Sequence, residues 1–236
     1  MSGLLTHISD NVAEVRGRMA AAAARVGRQA EDVRLVAVTK YVGPDEIRAL
    51  VAAGCTDLGE SRPQQLWDRA AELSELPVRW HMIGHIQRNK VERTLPLTVM
   101  IHSLDSLRLA EAIDTAAGKM DRKMPVLLEV NISRDVAKHG FAPEEIEPFL
   151  PKLIELTHIE VRGLMCMAGL EGGGQEARRD FANLRTLRDR LRASCPADFR
   201  MDELSMGMSG DYEIAIEEGA SIVRFGSALF EGRNLA

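Results

Sequence analysis

The stretch Leu35-Val-Ala-Val-Thr-Lys40, followed closely by Gly43-Pro44-Asp45, decides the fold class. Its continuous apolar run is typical of a parallel strand buried on both faces. The glycine and proline after it predict a turn into a helix, because proline suits the first helical position. The chain therefore begins its ordered pattern with a strand, a turn and a helix, and the same order recurs along its length.

Eight strand-like runs alternate with helical patterns, and no linker separates them. The strands are predicted at Val33–Thr39, Thr56–Gly59, Val78–Ile83, Val99–Ser103, Pro125–Asn131, Glu160–Met165, Glu203–Met206 and Ile222–Phe225. The helices between them are predicted at 44–53, 61–73, 86–94, 106–118, 143–156, 175–193 and 210–218. A further helix over Leu4–Val26 precedes them, and the glycine-rich 171–175 is expected to be a mobile loop. We expect one α/β domain over 1–236, a single (β/α)8 TIM barrel with an extra N-terminal helix.

Composition narrows the class of protein. The chain has 236 residues, a net charge of -5 and only 4% aromatic residues, and its 30 basic residues are scattered. A nucleic-acid surface would be basic and clustered, so we expect none. The three cysteines have neither disulfide nor metal spacing. The N-terminus lacks a signal-peptide pattern and no apolar run reaches membrane-spanning length, so we expect a cytoplasmic protein without membrane contact.

Lys40 ends the first strand, at the edge where barrel enzymes build their sites. Partial desolvation of its amine would favour the neutral, nucleophilic form that condenses with a carbonyl. The alternative is a lysine that ends a strand and extends into water.

The last two strands end in small residues. Ser209 is expected at the N-cap of the next helix, while Gly226 and Ser227 open a short helical turn. Together they predict a phosphate site, although Ser209 alone fits a plain helix cap. Arg224 shares a strand face with Gly226. It either forms a buried ion pair with Glu129 or Glu203, or donates to a ligand.

The segment Trp80–Lys90 contains His81 and His85, four residues apart. On a helix that spacing would suggest a metal pair, but here it spans the end of a strand. We interpret His81 as a hydrogen-bonded lumen residue and expect no metal. His85, Asn89 and Lys90 are expected on the active-site side of the third strand, in the pocket or capping a helix.

From about residue 4 to residue 235 the chain resembles the pyridoxal phosphate homeostasis proteins, single-domain barrels of the alanine racemase type. The motifs that carry the resemblance are Leu35–Lys40, Leu58-Gly-Glu-Ser-Arg62, Trp80–Lys90, Ile101-His-Ser-Leu-Asp105, Val130-Asn131, Lys138 with Gly140, Arg162-Gly-Leu-Met165, Leu204-Ser-Met-Gly-Met-Ser209 and Val223-Arg-Phe-Gly-Ser227.

The resemblance implies a fold-type III barrel in which Lys40 holds pyridoxal 5'-phosphate (PLP) as an internal aldimine. It also implies that the phosphate is bound by Ser209, Gly226 and Ser227, with backbone help near Met208. Arg224 would face the pyridine nitrogen and keep it unprotonated, which makes the ring a poorer electron sink. Ser61 replaces the asparagine usual in the family, so its contact with the ring is weakened, and His81 is a further candidate contact.

Three functions remain to be separated. The first is storage, buffering or delivery of PLP to PLP-requiring apo-enzymes by a monomer without strong catalysis of its own. The second is an amino-acid racemase. In that fold a racemase takes its second base from a C-terminal β-domain, and this chain ends at Ala236, soon after the eighth strand. The third is a cofactor-free Schiff-base aldolase, for which neither a phosphate site nor a ring-facing arginine is needed.

Overall fold

The computed structural model describes residues 2–135, 139–169, 173–196 and 199–232. Eight parallel strands close into a barrel in chain order, and the last strand pairs with the first. The strands are β1 Arg34–Val38, β2 Asp57–Glu60, β3 Arg79–Met82, β4 Thr98–Leu104, β5 Met124–Glu129, β6 Ile159–Met165, β7 Glu203–Ser205 and β8 Ile222–Phe225. The predicted (β/α)8 barrel is confirmed, with each strand within two residues of its predicted ends.

In the described part of the chain, eight α-helices connect or flank the strands. They are α1 Ser2–Arg25, α2 Pro44–Ala52, α3 Pro63–Glu72, α4 Val91–Thr94, α5 Leu107–Gly118, α6 Pro143–Ile154, α7 Gly173–Ser194 and α8 Tyr212–Glu217. Proline opens α2, α3 and α6, where the missing N–H costs nothing. None of these helices is long and apolar enough to cross a bilayer.

Two predicted segments differ from the structure. The helix predicted over 86–94 is a short 3-10 turn, Arg88–Lys90, followed by the four-residue α4. The chain then continues as a second 3-10 turn, Leu95–Leu97, because Pro96 has no N–H to donate to a carbonyl of α4 and so cannot extend the α-helix. The predicted loop over 171–175 lies partly outside the described residues, but Gly173 to Gln175 already belong to α7.

The N-terminal helix α1 covers one side of the barrel. It packs against α2, α8 and the 3-10 turn Ser227–Leu229. The Asn11 side-chain amide donates to the carbonyl oxygens of Leu229 and Glu231, both at 3.2 Å. The start of the chain is therefore bonded directly to the segment that follows β8.

The barrel lumen contains a small apolar cluster of Val36, Met100, Leu127, Met165 and Ile222, separate from the larger core between strands and helices. Strand register extends this inner face to polar residues. Residues paired with or two positions from cluster members face the same way, which places four polar side chains in the lumen: His81, His102, Ser205 and Arg224. All four are buried.

Candidate functional site

A cavity of about 590 Å³ opens at the carboxyl ends of the strands. Seven of the eight residues that the sequence analysis selected line it together: Lys40, Ser61, Met208, Ser209, Arg224, Gly226 and Ser227. These residues follow or end β1, β2, β7 and β8, which are neighbours around the barrel. Barrel closure thus brings together residues almost 190 positions apart in the chain, and the cavity occupies the usual place of a TIM-barrel site.

Lys40 lies in a turn just after β1, and that turn is held from outside the barrel. The Arg69 guanidinium on α3 donates to the carbonyl oxygens of Thr39 and Val42, the latter at 2.6 Å, and pairs with the buried Glu60 carboxylate. The Thr39 hydroxyl donates to the same carboxylate at 2.5 Å. The Lys40 side chain itself is exposed, with Nζ 4.8 Å from the Tyr41 ring centroid. The expected partial desolvation is therefore wrong for this structure, because the lysine projects beyond the strand end into an open mouth.

The loops after β7 and β8 meet through two serines, whose hydroxyl oxygens lie 2.6 Å apart. Within the described chain, the backbone N–H groups of Ser209 and Gly210 donate to no acceptor. Two hydroxyls and two free amides form a neutral set of donors suited to a phosphate.

The expected N-cap role of Ser209 is wrong, because α8 begins at Tyr212 and Asp211 is its N-cap residue. Asp211 Oδ1 accepts the Met208 N–H at 2.5 Å, so that amide is already occupied. Burial raises the pKa of the Asp211 carboxyl, against the opposing effects of this hydrogen bond and of Arg224. Gly226 precedes the 3-10 turn Ser227–Leu229, as predicted.

Arg224 is 5% exposed and forms no ion pair with Glu129 or Glu203. Its Nη1 donates to Ser205 Oγ at 2.6 Å and its Nη2 to the Cys166 carbonyl oxygen at 2.9 Å. Glu203 instead accepts from the Ser221 hydroxyl. Burial lowers the pKa of the guanidinium, but arginine keeps its charge in proteins. Of the two alternatives for Arg224, the structure therefore favours a donor held ready for a ligand.

His81 does not line the cavity, and its selection as a cofactor contact stays a prediction. It pairs with Gly59 in register, one position before the last pair of β2 and β3, and is fully buried. Its Nε2 lies 2.9 Å from Asp57 Oδ1 and its Nδ1 2.9 Å from His102 Nε2. The interpretation of His81 as a hydrogen-bonded lumen residue is confirmed.

A family model described as "Alanine racemase, N-terminal domain" matches residues 7–234. The chain belongs to this family. A pyridoxal phosphate homeostasis protein of Aquifex aeolicus is 37% identical over 224 residues, which are 95% of this chain and 97% of that protein. One of Pseudomonas aeruginosa is 36% identical over 230 residues, 98% of this chain and 97% of that protein.

Solved structures agree with the family assignment. PipY of Synechococcus elongatus, solved with PLP bound, has a TM-score of 0.84 and 34% identity, covering 94% of this chain and 99% of that one. Alanine racemase of Clostridium difficile has a TM-score of 0.68 at 18% identity, covering 85% of this chain and 51% of that one. The second likeness concerns the fold alone.

Within this family member, Glu129 is a cavity residue that sequence reasoning treated only as a possible ion-pair partner. It is the last residue of β5 and 6% exposed. Burial raises the pKa of its carboxyl to about 7, reinforced by the charge of Asp105 and opposed by Arg224 and His85. A carboxyl that titrates near neutral pH in a cavity is a common property of functional sites. Its position at a strand end was the signal that could have identified it.

His85 also lines the cavity, together with His139. His85 Nδ1 lies 2.8 Å from Asp105 Oδ2, and its ring stacks on that of His139 with centroids 4.6 Å apart and planes inclined by 16°. The ligand atoms of these three residues come within 4.8 Å of one another. Nearly parallel rings direct their in-plane nitrogen lone pairs side by side rather than to one point, so this arrangement does not form a closed metal site. Asn89 and Lys90 lie outside the cavity lining, and Lys138 lies outside the described residues.

Proposed function

We propose that this chain binds PLP and acts in intracellular PLP homeostasis, storing, buffering or delivering the cofactor. The observation that carries the proposal is the donor set of the cavity: an amine, a buried guanidinium and a pair of serine hydroxyls beside free amides. Family membership and the names of the relatives support it, as does the PLP-containing structure of PipY.

Each part of PLP has a counterpart among these residues. PLP supplies an aldehyde that condenses with a lysine amine with release of water, and Lys40 is the lysine that lines the cavity. Ser209, Ser227 and the Ser209 and Gly210 amides would bind the phosphate. Arg224 would donate to the pyridine nitrogen. Gly226 lets the chain approach Val38 closely, because a Cβ there would lie 2.2 Å from the Val38 carbonyl oxygen. We assign Ser61 and Met208 to the cavity wall.

Arg224 also determines what the site does poorly. A permanently charged donor at the ring nitrogen keeps that nitrogen unprotonated, and carbanion chemistry then loses its electron sink. The chain has two tyrosines. Tyr212 is buried against Phe225, and Tyr41 adjoins Lys40 in the same turn. Neither is placed to act as a second base across the cavity, so a racemase is not favoured and we expect no strong catalysis.

The proposal extends to the setting of the protein. Residues 1–236 act as one domain, a cytoplasmic monomer that passes PLP to PLP-requiring apo-enzymes and engages neither nucleic acid nor membranes. The net charge of -5 and the aromatic content of 4% support the expectation that the chain does not bind nucleic acid. Sedimentation of the purified protein tests the monomer, and activation of an added apo-enzyme tests transfer.

Reconstitution with PLP followed by borohydride reduction tests binding and its attachment point. The protein should gain a visible absorbance band that reduction removes, with the label on the peptide that contains Lys40. Lys40→Ala should abolish the band, whereas Lys119→Ala, at an exposed position outside the cavity, should retain it. A wild-type protein that stays colourless in excess PLP would refute the proposal.

A further inference from the structure

A continuous chain of hydrogen bonds crosses the barrel lumen from Asp57, the first residue of β2, to Arg224. Asp57 Oδ1 lies 2.9 Å from His81 Nε2, and His81 Nδ1 lies 2.9 Å from His102 Nε2. His102 Nδ1 lies 2.8 Å from Ser205 Oγ, which lies 2.6 Å from Arg224 Nη1. The four links join five residues on strands β2, β3, β4, β7 and β8. TIM-barrel lumens are usually filled with branched apolar side chains, so this polar row is unusual.

The two residues at the ends of this hydrogen-bonded row, Asp57 and Arg224, determine where its protons lie. An ionised carboxylate only accepts hydrogen bonds and a guanidinium only donates them. His81 therefore donates from Nε2 to Asp57. If each imidazole is neutral, His81 Nδ1 accepts from His102 Nε2, and His102 Nδ1 accepts from the Ser205 hydroxyl. Ser205 Oγ then accepts from Arg224, and every link is satisfied in one direction.

Burial supports these protonation states. His81 and His102 are fully buried, and burial lowers the pKa of both rings, for His81 against the opposing effect of Asp57. Burial also disfavours the Asp57 charge, but interactions with His81, Arg79 and Arg34, above all the hydrogen bond from His81, outweigh it and lower the pKa of that carboxyl. At neutral pH the row thus consists of one carboxylate, two neutral imidazoles, one hydroxyl and one guanidinium.

Arg224 needs such support. A buried guanidinium without a carboxylate partner is costly, and free rotation would let it leave the cavity. The row supplies an acceptor for Nη1 whose orientation is determined by a carboxylate at the far end of the barrel. Nη1 and Nη2 each form one such hydrogen bond, which leaves Arg224 further N–H groups for a ligand in the cavity it lines.

We infer that Asp57, His81, His102 and Ser205 are positioning residues that orient Arg224 toward the PLP ring nitrogen. This inference rests on the proposed function. It assigns a role to four residues, none of which lines the cavity and one of which, Asp57, lies outside every motif that carries the resemblance. Because the row acts through hydrogen-bond direction, its effect depends on the Ser205 acceptor for Arg224 and on the terminal Asp57 carboxylate, rather than on the volume of the side chains.

Four variants test the inference. Ser205→Ala removes the acceptor of Arg224, and Asp57→Leu removes the terminal acceptor, while Asp57→Asn keeps a carbonyl oxygen for His81. Thr94→Val is the matched control: its hydroxyl is buried, accepts from Trp67 and donates to a carbonyl, but lies outside the row. The measurements are the PLP dissociation constant, the ¹⁵N shift of ring-labelled PLP on the protein, and the histidine ¹⁵N spectrum of the PLP-free protein.

We expect Nε2–H tautomers at His81 and His102 in the wild-type spectrum. Ser205→Ala and Asp57→Leu should raise the dissociation constant about tenfold, as for one lost charge-assisted hydrogen bond, and shift the ring ¹⁵N signal. Asp57→Asn and Thr94→Val should bind like wild type. Because Ser205→Ala is a small change, it remains informative even if Asp57→Leu does not fold.

The failures of the two proposals are distinguishable. A wild-type protein that binds no PLP overturns the proposed function. Normal wild-type binding with an unchanged dissociation constant and ring signal in Ser205→Ala overturns the positioning role alone. Nδ1–H tautomers at both histidines also overturn it, because the row would then run in the opposite direction.

Discussion

Replacing Glu129 by glutamine should change how the stability of the PLP-free protein depends on pH. An ordinary glutamate ionises near pH 4.5, whereas Glu129 in the folded protein does so at about 7. Between these values the folded state retains a proton that the unfolded chain releases. The resulting stability is present below about pH 4.5 and is lost as the pH rises through 7. At about 1.4 kcal/mol per pH unit, the loss amounts to about 3 kcal/mol.

Glutamine resembles the protonated acid in shape and does not titrate. The free energy of unfolding of Glu129→Gln should therefore equal that of the wild type near pH 4.5 and exceed it by about 3 kcal/mol at pH 8. Urea unfolding of PLP-free protein at half-unit steps across this range measures the difference, and bound PLP must be removed because a ligand adds its own stabilisation.

The control for this experiment is Glu111→Gln, on an exposed face of α5. Its free energy of unfolding, plotted against pH, should run parallel to that of the wild type. If the free energy of unfolding of Glu129→Gln also ran parallel to that of the wild type across this pH range, the reasoning would be refuted. Burial beside Asp105 would then not keep a proton on the Glu129 carboxyl.

Three further variants give defined outcomes. Gly163→Ala would place a Cβ 1.9 Å from the Glu203 carbonyl oxygen on the neighbouring strand, so it should cost at least about 3 kcal/mol in urea unfolding; an unchanged midpoint would contradict that close approach. Arg69→Met leaves the buried carboxylate beside the turn after β1 uncompensated and should cost about 3 kcal/mol, and a loss below about 1 kcal/mol would show that the pair is dispensable. Ser209→Ala with Ser227→Ala should weaken PLP binding roughly a hundredfold in equilibrium dialysis at unchanged stability, and equal affinity would remove the two hydroxyls from the phosphate site.

The barrel could be predicted because its signals are local and repeated. Each β/α unit combines a short apolar run with a glycine or proline and an amphipathic helix, and eight such units admit few other architectures. Lys40 and the serines after β7 and β8 stand at strand ends, and barrel closure necessarily gathers strand ends at one mouth. That part of the site follows from topology alone.

Other features depend on geometry that no local pattern encodes. Asp211 takes the N-cap position of α8 in place of Ser209, while its carboxylate accepts the Met208 amide, which precedes the helix. The contact between His81 and His102 depends on a register shift between β3 and β4 at Trp80 and His81. The spacing of residues along the chain does not reveal such a shift, so the sequence does not predict the contact between these two histidines.

The bonds from Asn11 to the carbonyls of Leu229 and Glu231 have a consequence for the order of folding. They close loops of 218 and 220 residues, and β1 pairs with β8 over a similar separation. Contacts this distant in sequence form late, since most of the chain must be ordered before their closure entropy is recovered. During synthesis the segment bearing Ser227 leaves the ribosome long after the segment bearing Lys40. A nascent chain therefore contains Lys40 long before it contains the serine proposed to bind the phosphate. We expect only fully folded molecules to retain PLP.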